Sequence, residues 1–340
     1  MRRVGVSSAW TELVRRNLLR MTKQAAQAGS RATAEALAGR RAPPAGAGDW
    51  ILGIVTGLSG TRRYRLFWPA GVRFGERLPL MVMLHGCHQD AASFAACTRM
   101  NVVAARERFL VLYPEQDRLS NPQGCWNWYD TKSGRARAEM ALIVQAVDQV
   151  CTLYPADRDR VAIAGLSAGA SMAALLATRH PERFSAVVMH SGIPPGTADS
   201  TLSAVGAMRG RRATNPVTTT PSLMAVPWPP LLVVHGDRDA IVSPQNGRAA
   251  THLWADAAHA RASIQRAVQR GRRHAMKVTE YKRQGMTIAT LVQVAGLGHS
   301  WSGGGANERF SDAQGPDASR MVWAFAARQF ALARLPDKAA

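Results

Sequence analysis

The chain has 340 residues, 46% hydrophobic and 19% charged, a balance that supports a packed core and excludes a disordered chain. Arg, Asp, His or Gln interrupts every apolar run short of the roughly 18 residues that a membrane-crossing helix needs, so no transmembrane segment is expected. The formal net charge is +20, from 43 Lys and Arg against 23 Asp and Glu, and two short segments hold much of it.

The first charged segment, residues 1–41, has nine basic side chains against Glu12 and Glu35. Within it, Thr11, Glu12, Arg15, Arg16 and Asn17 break any apolar stretch of the kind a secretory signal requires. The run RAPPAGAG at 41–48 reads as a linker. Residues 1–48 are therefore expected to be a basic, Ala-rich extension, helical or disordered, and residues 49–335 the folded domain.

Short apolar runs then alternate with helical patterns. Strands are expected at Tyr64–Trp68, Leu80–Leu84, Phe109–Tyr113, Val161–Ala164, Ala186–Met189, Leu231–Val234 and Thr287–Val294. Helices are expected at Arg137–Leu153, Ser167–Arg179, Gln245–Ala258 and Pro316–Leu332, where apolar residues recur at spacing three or four. Continuous apolar runs predict strands covered on both faces. The alternation predicts an α/β fold with a mostly parallel central sheet flanked by helices. The stretch Gly196–Pro230, rich in Pro, Thr, Ser and Gly, reads as a long irregular insertion. Residues 261–283 form the second charged segment, with eight basic side chains against Glu280. Such segments attract anionic polymers, but no nucleic-acid-binding motif accompanies them, so solvated faces are expected and no nucleic-acid partner.

The chemistry concentrates in Gly165-Leu166-Ser167-Ala168-Gly169, a GxSxG pattern placed directly between an expected strand and an expected helix. There it forms a strained turn that projects Ser167 above the sheet, and side chains at Gly165 or Gly169 would collide with the neighbouring helix and strand. A serine hydroxyl is a weak nucleophile without a base and an orienting carboxylate, and in this chain order the acid precedes the base. Asp239, in HGDRDAIVSP at 235–244, is the expected acid. Asp237 sits in the turn directly after the strand and is expected to bond local amides. His299, in the loop GLGHSW at 296–301, is the expected base, while His252, His259 and His274 read as surface residues. The backbone amides of Cys87 and Ala168 are the expected oxyanion hole. His85 and His88 lack a third ligand for a metal, and Cys87, Cys97, Cys125 and Cys151 show no zinc-binding spacing. No metal or cofactor is expected. The cysteines allow up to two disulfides, with three pairings open.

LHGCHQD at 84–90, TRMN at 98–101, YPEQ at 113–116, CWNWYD at 125–130, RVAIAGLSAGASM at 160–172, HGDRDAIVSPQNG at 235–247 and GLGHSWSGG at 296–304 resemble the polyhydroxybutyrate depolymerase-like esterases, which are related to feruloyl and acetylxylan esterases. The resemblance covers about Gly53 to Phe330. It implies an α/β-hydrolase fold, Ser167, Asp239 and His299 as a catalytic triad, and Cys87 and Ala168 as oxyanion donors. It implies an ester or polyester substrate, with Trp126, Trp128 and Trp301 lining the cleft, a Cys87–Cys125 disulfide bracing the oxyanion loop, and an extracellular setting. The unreadable export signal keeps a cytoplasmic alternative. An acyltransferase on the same triad and a basic binding protein on a hydrolase scaffold are the rival functions.

Overall fold

A computed structural model describes residues 44–214 and 226–333. The expected basic extension therefore lies outside the described residues as far as residue 43, and so does the 215–225 part of the expected insertion. From Pro44 onward the chain forms one unit.

A hairpin opens that unit: β1 (Gly48–Gly57) pairs antiparallel with β2 (Gly60–Pro69). The chain continues through β3 (Leu78–Leu84), α1 (Ala91–Thr98), α2 (Met100–Glu107), β4 (Leu110–Pro114), α3 (Arg135–Leu153), β5 (Ala156–Leu166), α4 (Ala168–Arg179), β6 (Ala186–His190), α5 (Thr201–Met208), β7 (Leu231–Gly236) and α6 (Gln245–Ala257). The second basic segment folds into β8 (Arg261–Ala262), β9 (Arg266–Val268) and β10 (Met276–Arg283), and then come β11 (Met286–Val294), β12 (Trp301–Ser302), β13 (Ser311–Asp312) and α7 (Ala318–Ala333).

The main sheet runs β1-β2-β4-β3-β5-β6-β7-β11-β10-β8, with β9 also on β10. The strands from β4 to β11 in that order are parallel. Every residue of β3, β4, β6 and β7 is buried, as the continuous apolar runs predict. Alternate side chains face opposite sides of a strand, which divides the core in two. Leu80 and Val82 pack with α3 and α4 on one face, and Met81 and Met83 pack with Phe94 of α1 and Phe330 of α7 on the other.

Several elements were not expected. The β1 sequence is mostly exposed or half-buried and broken by glycine, so it lacks a buried run. Helices α1 and α2 are eight residues each, little more than two turns and too short for an apolar period to stand out in the sequence. Helix α5 lies inside the expected irregular insertion, started by a reciprocal cap between Ser200 and Ser203. Strand β10 hides in a basic segment because it closes the sheet near its edge, where charged side chains are tolerated and resist further pairing. No helix among the described residues is long and apolar enough to cross a membrane.

Because β3, β5, β6, β7 and β11 are parallel, the loops that follow them leave from one edge of the sheet. That edge receives His85–Cys87, Ser167, Ser191, Asp237–Asp239 and His299 from segments far apart in the chain. Leu112, on β4, is fully buried between the layers. Its replacement by Ala is expected to lower unfolding stability by about 2–5 kcal/mol, whereas Leu58→Ala in the exposed hairpin turn changes it by less than about 0.5 kcal/mol. Urea unfolding of the two variants measures the difference.

Candidate active site

Ser167 ends β5 and caps α4 with φ 55° and ψ −120°, a left-handed conformation that a residue with a Cβ adopts only under constraint. The constraint is close packing on both sides of the turn. A Cβ on Gly165 would lie 2.4 Å from the Gly169 carbonyl, and one on Gly169 would lie 2.1 Å from the Leu84 carbonyl oxygen of β3. The two collisions expected of the GxSxG turn are therefore present, one with the helix and one with the strand. The Ser167 amide donates to the His190 carbonyl at 2.9 Å, tying the turn to β6 and leaving the hydroxyl at the sheet edge.

The carboxylate and the imidazole meet over the same edge. His299 Nδ1 lies 2.8 Å from Asp239 Oδ2. Asp239 Oδ1 accepts from the amides of Ile241 at 3.0 Å and Val242 at 2.8 Å. A fourth contact was not anticipated: His235 Nε2 lies 3.3 Å from Asp239 Oδ2 and 2.9 Å from the Val242 carbonyl, so its proton is shared between them. Burial alone would raise the Asp239 carboxyl. The hydrogen bonds from His235 and His299 outweigh it and hold the group well below the ordinary carboxylate range. With Asp239 ionised, His299 donates from Nδ1 and keeps the lone pair on Nε2. Asp237 instead accepts from the Gly296 amide at 2.7 Å, so its partner is not the local amide expected for it but one in the loop that carries His299, brought near because β7 and β11 pair in parallel. His252 lies against Tyr281 and His274 against Asp312. His235 was legible only as part of a motif, since nothing in its spacing shows that its ring turns back onto Asp239.

The loop after β3 is braced from several sides. Cys87 and Cys125 form a disulfide across 38 residues of sequence. Trp126 Nε1 donates to the His85 carbonyl at 3.0 Å. His85 Nε2 accepts from the Gln116 amide at 3.0 Å while its Nδ1 faces the Gly86 carbonyl at 2.8 Å, which occupies both ring nitrogens. Below them, the buried carboxylate of Glu139 on α3 accepts from Gln116 at 2.7 Å and from the Asn127 side chain and amide at 2.6 and 2.9 Å. Arg62 bonds Gln116 and lies over the Trp126 ring. Cys97 and Cys151 are free and buried, and burial pushes the Cys97 thiol up to about 12.

The three tryptophans expected in the cleft are framework residues instead. Trp126 and Trp301 are fully buried and Trp128 is 6% exposed. Trp301 stacks on His190 at 4.9 Å and donates to Ser319, and Trp128 packs edge-on against Tyr129. Their large rings contribute more by filling the core than by facing solvent. Among the described residues no cluster of three His, Cys, Asp or Glu could hold a metal ion.

The sequence profile of the family described as esterase PHB depolymerase matches residues 62–269. Poly(3-hydroxyalkanoate) depolymerase C of Paucimonas lemoignei is 32% identical over 180 residues, 49% of this chain and 42% of that protein. A probable acetylxylan esterase A of Aspergillus fumigatus is 26% identical over 192 residues, 52% of this chain and 50% of the relative. The chain thus spans half or less of these two proteins. The solved structure of an acetyl xylan esterase from Aspergillus awamori superposes with a TM-score of 0.59 at 20% identity, over 73% of this chain and 94% of that one. The shared architecture is the α/β-hydrolase fold.

Two predictions follow from the buried groups. Burial lowers His85 to about 4 and His190 to about 3, the latter helped by electrostatic coupling to His235 and His299. Both stay neutral in the folded state while the unfolded chain takes up protons below about 6.5. Stability should therefore fall as pH drops from about 6.5 towards 4, and His190→Gln should flatten that part of a plot of melting temperature against pH. Glu139→Ala strands the Gln116 and Asn127 donors and is expected to cost about 3 kcal/mol in urea unfolding.

Proposed function

The chain belongs to the esterase PHB depolymerase family, and on that premise we propose that it is a serine carboxylic-ester hydrolase working through an acyl-enzyme. The observation that carries this reading is the 2.8 Å contact between His299 Nδ1 and Asp239 Oδ2, made on the same sheet edge as the strained serine. Asp239 holds the ring with Nε2 unprotonated. Ser167 Oγ attacks the ester carbonyl carbon and its proton passes to His299 Nε2, which leaves an imidazolium facing an ionised carboxylate. The oxyanion is received by the amides of Cys87 and Ala168, the latter at the positive end of α4. Collapse breaks the ester C–O bond, the leaving alcohol takes the proton from His299, and Ser167 keeps the acyl group. Water then attacks the acyl carbon and gives a proton to the same nitrogen, the acyl C–Oγ bond breaks, and Ser167 Oγ takes the proton back from His299 as the acid leaves.

Polyhydroxybutyrate or short hydroxyalkanoate oligomers are the proposed substrates, in keeping with the depolymerase relative. The acetylxylan esterase relative and its solved counterpart favour a second reading in which the leaving alcohol belongs to a sugar. The Cys87–Cys125 disulfide supports a working place outside the reducing cytoplasm.

Ser167→Ala is expected to keep the melting temperature and to lower kcat/KM on p-nitrophenyl butyrate by on the order of 10⁴-fold or more. Parallel assays on 3-hydroxybutyrate oligomers and acetylated xylan, with product analysis in the presence of added alcohols, choose the substrate class and separate hydrolysis from acyl transfer. Turnover retained in a clean Ser167→Ala preparation would overturn the proposal.

A further inference from the structure

A cavity of about 470 Å³ lies between α2, the turn ahead of β10 and the start of α7. None of Ser167, Asp239, His299, Cys87 or Ala168 lines it. Its charged lining is Arg99, Arg106, Arg270, Arg273 and Arg320, with Asp317 the one carboxylate. Arg106 is paired with Glu107 at 2.7 Å and Arg320 with Asp317 at 3.3 Å. Among the described residues, Arg99, Arg270 and Arg273 have no carboxylate within 4.0 Å.

Like charges gathered around a concavity repel one another and raise the local potential, and a counter-ion relieves both effects. Guanidinium groups present planar, paired N–H donors that match the oxygens of phosphate and carboxylate. Arg273 is held in place by its bond to the Gly315 carbonyl at 2.5 Å. The volume falls in the range of small-molecule sites. Arg99 and Arg106 come from one end of the sequence and Arg270, Arg273 and Arg320 from the other, so only the tertiary fold assembles the set. Two of the five belong to the basic segment at 261–283, which the ester chemistry does not use.

We propose that this cavity is a binding site for a small, multiply charged oxyanion, a phosphate ester or a polycarboxylate. The surplus of arginine over carboxylate selects for more than one negative charge, so a monocarboxylate such as 3-hydroxybutyrate binds weakly.

The test is calorimetric titration of the full chain with pyrophosphate, with citrate and with 3-hydroxybutyrate at low ionic strength, using wild type, Arg270→Ala, Arg99→Ala/Arg270→Ala and Lys282→Ala/Arg283→Ala. The expected result is saturable one-to-one binding of pyrophosphate or citrate, weakened by about tenfold or more in the Arg99/Arg270 variant and kept in the Lys282/Arg283 variant. The stronger of the two probes identifies the phosphate or the carboxylate class. Arg270 is exposed, so its single replacement keeps the fold and should weaken binding in the same direction. Three results would each overturn the proposal: no saturable binding to wild type, binding unchanged in the Arg99/Arg270 variant, or equal loss in the Lys282/Arg283 variant.

Discussion

Close approach between the start of α4 and the strand ends beneath it is the constraint on which the rest of the site depends. Gly165 and Gly169 leave no room for a side chain, because the backbone of the helix and of β3 already fills the space. That contact forces Ser167 into the left-handed region and seats the first turn of α4 directly over the end of β3. Ser167 and the loop after β3 are thereby brought together by a single steric fact. Any looser turn would lower the strain at Ser167 and separate it from the loop after β3.

Buried polar groups supply the precision that apolar packing does not. The Asp239 carboxylate, the Glu139 carboxylate and the His85 ring each have several partners in dry surroundings. A satisfied buried network is rigid, since each lost hydrogen bond leaves an uncompensated polar atom. The Glu139 cluster fixes Asn127 and, through the adjacent Trp126, the carbonyl of His85, while the disulfide ties the same two loops covalently. Two independent braces on one loop are consistent with its proposed role, because an oxyanion donor misplaced by a fraction of an ångström loses most of its effect.

Charge is distributed by a different logic at the far edge. Strand β10 half-buries Val278 to Tyr281 and exposes the basic Lys277, Lys282 and Arg283, and charge on a strand near the sheet edge discourages pairing with another sheet. The arginines at its beginning turn instead towards α2 and α7, so one basic segment serves both as a sheet edge and as one wall of a cavity.

The elements that place Ser167, Asp239 and His299 were legible in the sequence because each is local. Continuous apolar runs mark buried parallel strands, GxSxG marks a strained turn between strand and helix, and a carboxylate followed by a histidine in late loops follows from chain order. Short helices, half-exposed edge strands and the cap-driven α5 were not legible, since their stability comes from neighbours rather than from periodicity. The roles of Trp126, Trp128 and Trp301 were beyond local reading for a related reason: a tryptophan in a motif reads alike whether its ring faces a cleft or the core. The shared proton of His235, the carboxylate of Glu139 beneath the oxyanion loop and the gathering of five arginines were decided only by tertiary structure. Each is a contact between segments far apart in sequence, and it is the folded chain that sets such distances.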